Sequence, residues 1–193
     1  MYPVILYLYP DETNHMKFHS LDVETANGDA STICQIGIGR FEYGQLVDSW
    51  ESLIDPQSSF HWGNVRVHGI TEDMVQQAPT FGDVYPILRK MLAGSIVIHH
   101  SPFDFQAFNK AYARFNLRPI NIQWLDSARI VRNTWPSFSK SGYNLANVAN
   151  HLGIGFRHHD ALEDSVAAGK IVVEACRLTD RCVAEWYELF NTR

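Results

Sequence analysis

The chain predicts an α/β domain with a mixed central sheet and helices on both faces. Three observations carry that prediction. Three strand-like segments follow one another near the start, which suggests an antiparallel meander. Short apolar strands then alternate with helical patterns. Apolar residues make up 46% of the 193 residues and charged residues 19%, the composition of one folded domain rather than of a disordered chain.

The elements follow in order. Lys17 to Glu24 reads as the first strand, ended by the turn signal Ala26-Asn27-Gly28-Asp29. Ile33 to Phe41 and Gln45 to Ile54 read as two more, joined at Glu42-Tyr43-Gly44. Thr80 to Ala93 is predicted helical, and Ser95 to His99 is a short apolar strand. In the helix predicted from Pro102 to Phe115, the residues Phe105, Phe108, Tyr112 and Phe115 form one stripe at spacings of three and four. Ile122 to Leu125 is a candidate strand. Helices are predicted from Ser127, from Asn144 to Leu152 (stopped by Gly153), from Ala161 to about Leu178, and from Cys182 to Phe190. Large aromatics are usually buried, which favours the core for Trp62, Trp124 and Trp135, with stacking on bases as the alternative. The last helix, with Trp186, Tyr187, Leu189 and Phe190, offers a docking element for a partner.

Composition narrows the function. The cysteines Cys34, Cys176 and Cys182 are odd in number and form no Cys-x-x-Cys pair, which argues against a disulfide framework or a structural zinc site. No apolar run approaches the roughly 20 residues of a membrane-spanning helix. The apolar stretch Tyr2–Tyr9 is bracketed by Pro3 and Pro10 with no basic residue before it, a poor signal peptide. The expected compartment is the cytoplasm. A net charge of −5 disfavours a protein that grips long duplexes through a basic face. It leaves room for an enzyme that brings its positive charge as bound cations.

Three acidic motifs stand out. Asp22 and Glu24 sit two apart on a predicted strand, so their carboxylates share a face. Two like charges that close favour a cation between them, and oxygen-rich sites suit Mg²⁺ or Mn²⁺; a solvated polar edge is the alternative. Asp104 follows Ser101 and Pro102, and the third position of a capped helix would account for it without chemistry. In His158-His159-Asp160-Ala161-Leu162-Glu163-Asp164, Asp160 and Glu163 form a capping pair. His159 then falls just before the helix and Asp164 about one turn inside. An imidazole there suits proton acceptance, while a surface His pair and a helix-face Asp remain the plainer account. The basic residues Arg129, Arg132, Lys140 and Arg157 would either guide a strand towards such a site or lie on a solvated surface.

Together these motifs resemble the DEDD exonuclease superfamily, in its DEDDh branch of DnaQ-like proofreading type, from about Lys17 to Leu178. Leu21-Asp22-Val23-Glu24-Thr25 resembles the first motif, Phe103-Asp104 the second, and His159-x-Ala161-x-x-Asp164 the third. Val67-His68-Gly69-Ile70-Thr71 resembles a segment that recurs between the third strand and the next helix. One departure is clear: where the family has an Ala-His-Asn-like sequence, this chain reads Ile98-His99-His100-Ser101, so His100 replaces Asn.

The resemblance implies an RNase H-like fold and a two-metal-ion 3′→5′ exonuclease. Two divalent cations, Mg²⁺ or Mn²⁺, would be held by Asp22, Glu24, Asp104 and Asp164. His159 would be the general base and His158 a bystander. Thr25, His68 and Phe103 align with positions that approach the terminal nucleotide. The implied substrate is the 3′ end of a single-stranded nucleic acid, DNA favoured, released as nucleoside 5′-monophosphates. RNA 3′-end trimming of the RNase T or oligoribonuclease kind, and a DnaQ-like binding or assembly subunit, are the alternatives. A polymerase or a second copy of the chain is the implied partner. Residues 1–15 are expected to be an N-terminal extension. Residues 16–193 would form one exonuclease domain with an extra C-terminal helix.

Overall fold

The computed structural model describes residues 17–191; the extension expected at 1–15, and its boundary at Met16, lie outside them. Five strands form one sheet: β1 (Phe18–Thr25), β2 (Ile33–Glu42), β3 (Gln45–Leu53), β4 (Ile96–His99) and β5 (Gln123–Asp126), in the spatial order β3-β2-β1-β4-β5. β1 pairs antiparallel with β2, and β2 with β3; β1 pairs parallel with β4, and β4 with β5. The mixed sheet and its three-strand opening are as the sequence predicts.

Helices cover both faces because β1 is apolar on both. Leu21 and Val23 point into a core shared with Ile36, Ile38 and Val97, capped by α3 (Phe81–Leu92) and α4 (Pro102–Arg114). Phe18 lies on the opposite core with Phe41, Ile98 and Leu125. That core is covered by α5 (Ser127–Thr134), α7 (Leu145–His151), α8 (Ala161–Thr179) and α9 (Val183–Asn191). The stripe on α4 is real: Phe108 and Tyr112 are buried with Phe115 packed beside them, while Phe105 lies at the edge against Trp124.

Two short helices precede α3, namely α1 (Trp62–His68) and α2 (Glu72–Val75), and α6 (Phe138–Ser141) precedes α7. None was legible in the sequence. They have four to seven residues, too few for an apolar period to show, and α1 buries no residue at all. This corrects the assignment of Trp62 to the core. It opens α1 at 68% exposure, beside His61, whereas Trp124 and Trp135 do pack on the two cores. The C-terminal helix, expected as a docking element, packs one face on the chain's own core. Trp186 is buried, Tyr187 and Phe190 pack against the same core, and the Arg129 guanidinium lies 4.2 Å over the Phe190 ring. Tyr187 and Phe190 stay partly exposed, beside an exposed Leu189.

Among the described residues no helix is long and apolar enough to cross a membrane.

Candidate active site

The acidic residues meet where the parallel strands end, the usual place for a site in an α/β sheet. Alternation along β1 puts Asp22 and Glu24 on the α8 side. α8 comes close because Gly37, opposite Asp22 on β2, has no side chain; a Cβ there would run into the backbone of Ala161 and Leu162. The helix begins at Asp160, whose carboxylate accepts from the Glu163 N–H as the N-cap. Asp164, one turn in, then faces β1. Ligand atoms of Asp22, Glu24 and Asp164 all lie within 4.8 Å of one another.

Asp104 reaches the site from the other face of the sheet. Ser101 caps α4, accepting from the Phe103 N–H, with Pro102 as the first helical residue. The capping-pair explanation for Asp104 does not describe its main contact: its Oδ1 accepts from the Val23 N–H at 3.2 Å, on β1 itself, and the side chain is buried. It stands outside the 4.8 Å group but is close enough to raise the pKa of both Asp22 and Glu24.

The four carboxyls are frustrated as they stand. Burial first, then Asp104, Asp164 and Glu24, hold Asp22 well above the usual carboxylate range. Burial and then Asp164 and Asp104 push Glu24 up to about 8. Asp104 is pushed up to about 7, chiefly by burial and against its hydrogen bond to Val23. Burial also raises Asp164. Such a cluster of carboxylate oxygens, too crowded to be fully ionised alone, fits a hard divalent cation.

The two histidines serve Asp164 from opposite sides. His159 has a left-handed backbone (φ 68°), which lets its N–H donate to Asp164 Oδ2 at 2.9 Å. His158 Nδ1 lies 2.9 Å from Asp164 Oδ1, and the two imidazoles stack at 3.9 Å. His158 therefore engages the acidic cluster directly, where the sequence resemblance made it a bystander. A ring nitrogen of His159 also lies within 4.8 Å of an Asp164 carboxylate oxygen and of a His158 ring nitrogen. The pKa of His159 is lowered, by burial and then by His158.

Of the three residues expected at the terminal nucleotide, only Phe103 lines the carboxylate cleft, a cavity of about 530 Å³. Thr25 is buried and its hydroxyl donates to the Asn27 carbonyl. Its own carbonyl accepts from Asn64 Nδ2 and lies 3.2 Å from His68 Nε2. Since the Ile70 N–H donates to His68 Nδ1, Nε2 carries the proton in neutral His68. Thr25 and His68 are thus brought together. His68 lines a second groove, of about 670 Å³, that shares His158 and His159 with the first.

Other residues of the cleft carry no motif. Asp126, Arg132, Tyr143 and Asn144 line it from β5, α5 and the turn before α7. His100, the family's Asn position, is half-buried and lines the cleft with them; its Nδ1 is 2.8 Å from Ser127 Oγ and its Nε2 is 2.8 Å from the Tyr143 carbonyl. It ties the second motif to both elements.

A five-stranded mixed sheet carrying these acids defines the class: an RNase H-like nuclease. The profile of the exonuclease family (RNase T type) matches residues 20–172. The chain belongs to that family, as a DnaQ-like 3′→5′ exonuclease.

Its relatives include DNA polymerase III of PolC type from Clostridium perfringens, 28% identical over 158 residues. That match takes in 78% of this chain and 10% of the relative. The same enzyme of Thermotoga petrophila is 28% identical over 178 residues, 88% of this chain and 12% of the relative. The chain thus spans about a tenth of these relatives.

Among solved structures, exonuclease X in complex with 5′-overhanging duplex DNA superposes with a TM-score of 0.70 at 21% identity, over 89% of this chain and 98% of that one. E. coli exonuclease I in complex with a dT13 oligonucleotide gives 0.76 at 15% identity, over 92% and 44%. At these identities the likeness is one of fold. The family generally uses divalent metal ions.

Proposed function

We propose that this chain removes nucleotides from the 3′ end of a single-stranded nucleic acid, DNA in preference to RNA, releasing nucleoside 5′-monophosphates. The observation that carries the reading is the convergence of Asp22, Glu24 and Asp164 within 4.8 Å, with Asp104 beside them and His159 on the rim. Asp22, Glu24, Asp104 and Asp164 would hold two divalent cations, Mg²⁺ or Mn²⁺. Bound there, such ions stabilise charge on the phosphate and acidify a water.

The chain's own groups do the rest. Neutral His159 takes the proton of the attacking water. The water oxygen bonds to phosphorus, the bond to the upstream 3′ oxygen breaks and that oxygen takes a proton from solvent, leaving the phosphate on the departing nucleotide. His158 and the His159 N–H hold Asp164 by both oxygens, and the Val23 N–H holds Asp104. Phe103, 42% exposed at the cleft, offers a face for a base, and His68 with Thr25 a second wall.

DNA as the substrate, and a polymerase as the partner, are supported by the PolC-type relatives. The free cysteines among the described residues suit the cytoplasm. Digestion of 5′-labelled single-stranded DNA and RNA of matched sequence, with Mg²⁺, Mn²⁺ or EDTA, tests the proposal. A metal-dependent ladder shrinking from the 3′ end, faster on DNA, is expected. A faster RNA ladder overturns the preference, and no ladder on either overturns the activity.

A further inference from the structure

The cleft is acidic, yet it contains a cation. Among the described residues Arg132 is the only Lys or Arg that lines it. The other arginines suggested by the sequence are engaged elsewhere: Arg129 lies over Phe190, and Arg157 pairs with Asp160. Arg132 has no ion-pair partner among the described residues, although Asp126 lines the same cleft. Its guanidinium lies 5.0 Å from the centroid of the Tyr143 ring.

That ring is itself held in place. The Tyr143 backbone is fixed by His100 Nε2 at its carbonyl, and the ring lies against Phe138. A guanidinium held over an aromatic ring without an ion-pair partner keeps an N–H edge to offer. That edge is the one that matches two oxygens of a phosphate. His158 and His159 form the wall between the two cavities; Arg132 lines one and His68 the other.

We infer that Arg132, presented by Tyr143, binds a second phosphate of the substrate strand, distinct from the one being hydrolysed. The inference rests on the exonuclease reading. At a 3′ end the terminal nucleotide carries no phosphate beyond the scissile one, so the second phosphate belongs to the nucleotide upstream. Arg132 is thereby the residue that makes the cleft prefer a strand over an isolated phosphodiester. His100, in place of Asn, is a positioning residue acting through Tyr143.

The test compares two substrates in the presence of Mn²⁺. One is a single-stranded oligodeoxynucleotide; the other is thymidine 5′-(4-nitrophenyl) phosphate, which offers only the scissile phosphate. In Arg132→Ala, the ratio of kcat/KM for the strand to that for the ester should fall about tenfold, mainly through KM for the strand. The slope of log(kcat/KM) for the strand against log salt should shrink by about 0.7, the loss of one single-strand phosphate contact. Tyr143→Leu should move the ratio in the same direction by less. An unchanged ratio and slope in Arg132→Ala, with the wild type active on both substrates, overturns the inference alone. A wild type inactive on both overturns the exonuclease reading and this inference with it.

Discussion

On one side of β1, Leu21 and Val23 are buried among Ile36, Ile38, Val97 and Phe108. On the other side of the same strand, Asp22 and Glu24 face Asp164 with raised pKa values. The first pair stabilises the fold, at about 1.5–3 kcal/mol for a fully buried aliphatic side chain. The second pair opposes it, because each carboxyl is disfavoured in its charged form by burial and by its neighbours. Alternation with a period of two lets one strand do both. Stability is drawn from one face, and the candidate metal ligands are placed on the other at a cost the core offsets.

The sharpest way to break that comparison is on the acidic side. Asp22→Asn should abolish metal-dependent nuclease activity while melting, in EDTA, no lower than the wild type, since it removes a member of a mutually repelling cluster. Activity assays beside thermal melts check both halves; an active variant would remove Asp22 from the site. His159→Ala should reduce kcat by about 10²–10⁴-fold with the fold intact. His158→Ala should cost less, because it removes a partner of Asp164 and leaves the proton acceptor. If the two histidine variants are equal, or reversed in size, the roles assigned to the pair are wrong.

On the apolar side, Leu21→Ala should lower stability by about 2–5 kcal/mol in a denaturant melt. Gly37→Ala joins the two sides. Backbone of α8 lies where the new methyl would go, and such overpacking costs about 1–3 kcal/mol. It should also lower activity by moving Asp164 away from Asp22. A variant destabilised but fully active would show that α8 shifts without disturbing the acids.

The smallest effect expected is on pH. Glu24 and Asp104, pushed up to about 8 and 7, contribute most to stability below about pH 4, the ordinary carboxylate range, and lose that contribution as the pH rises through 7 to 8. His99 and His100 act in the opposite sense. Burial lowers their pKa values, so their contribution is present above about pH 6.5 and fades as the pH falls. The metal-free protein should therefore have its highest Tm between these limits. Saturating Mn²⁺ should raise Tm by more at pH 8 than at pH 6, by about 5–10 °C for binding at a hundredfold excess over Kd. An equal shift at both pH values would mean the carboxyls are not the ligands.

Much of this was legible in the chain because it depends on short-range order. The strand alternation that aligns Asp22 with Glu24, the Ser101 and Asp160 caps, and the order of the three motifs are all local patterns. They sufficed for the sheet, for ten elements at both ends within a residue or two and the start of α5, and for picking out the acids that the fold brings together. The short helices α1, α2 and α6 were not legible, having too few residues to show a period. Nor was the exposure of Trp62, since burial statistics describe a residue type and not its place on a surface helix.

What only the tertiary structure decided is which groups touch across long separations. Asp104 could be read as a cap until its carboxylate was found on the Val23 N–H, 81 residues away. His158 looked idle beside His159 because only the left-handed turn at His159 brings both to Asp164. Arg132 was one of four basic residues in sequence, and became distinct when the fold placed the Tyr143 ring beneath it. Local pattern determines which face a side chain takes. Which partner waits on that face depends on how distant segments pack, and no local period encodes that.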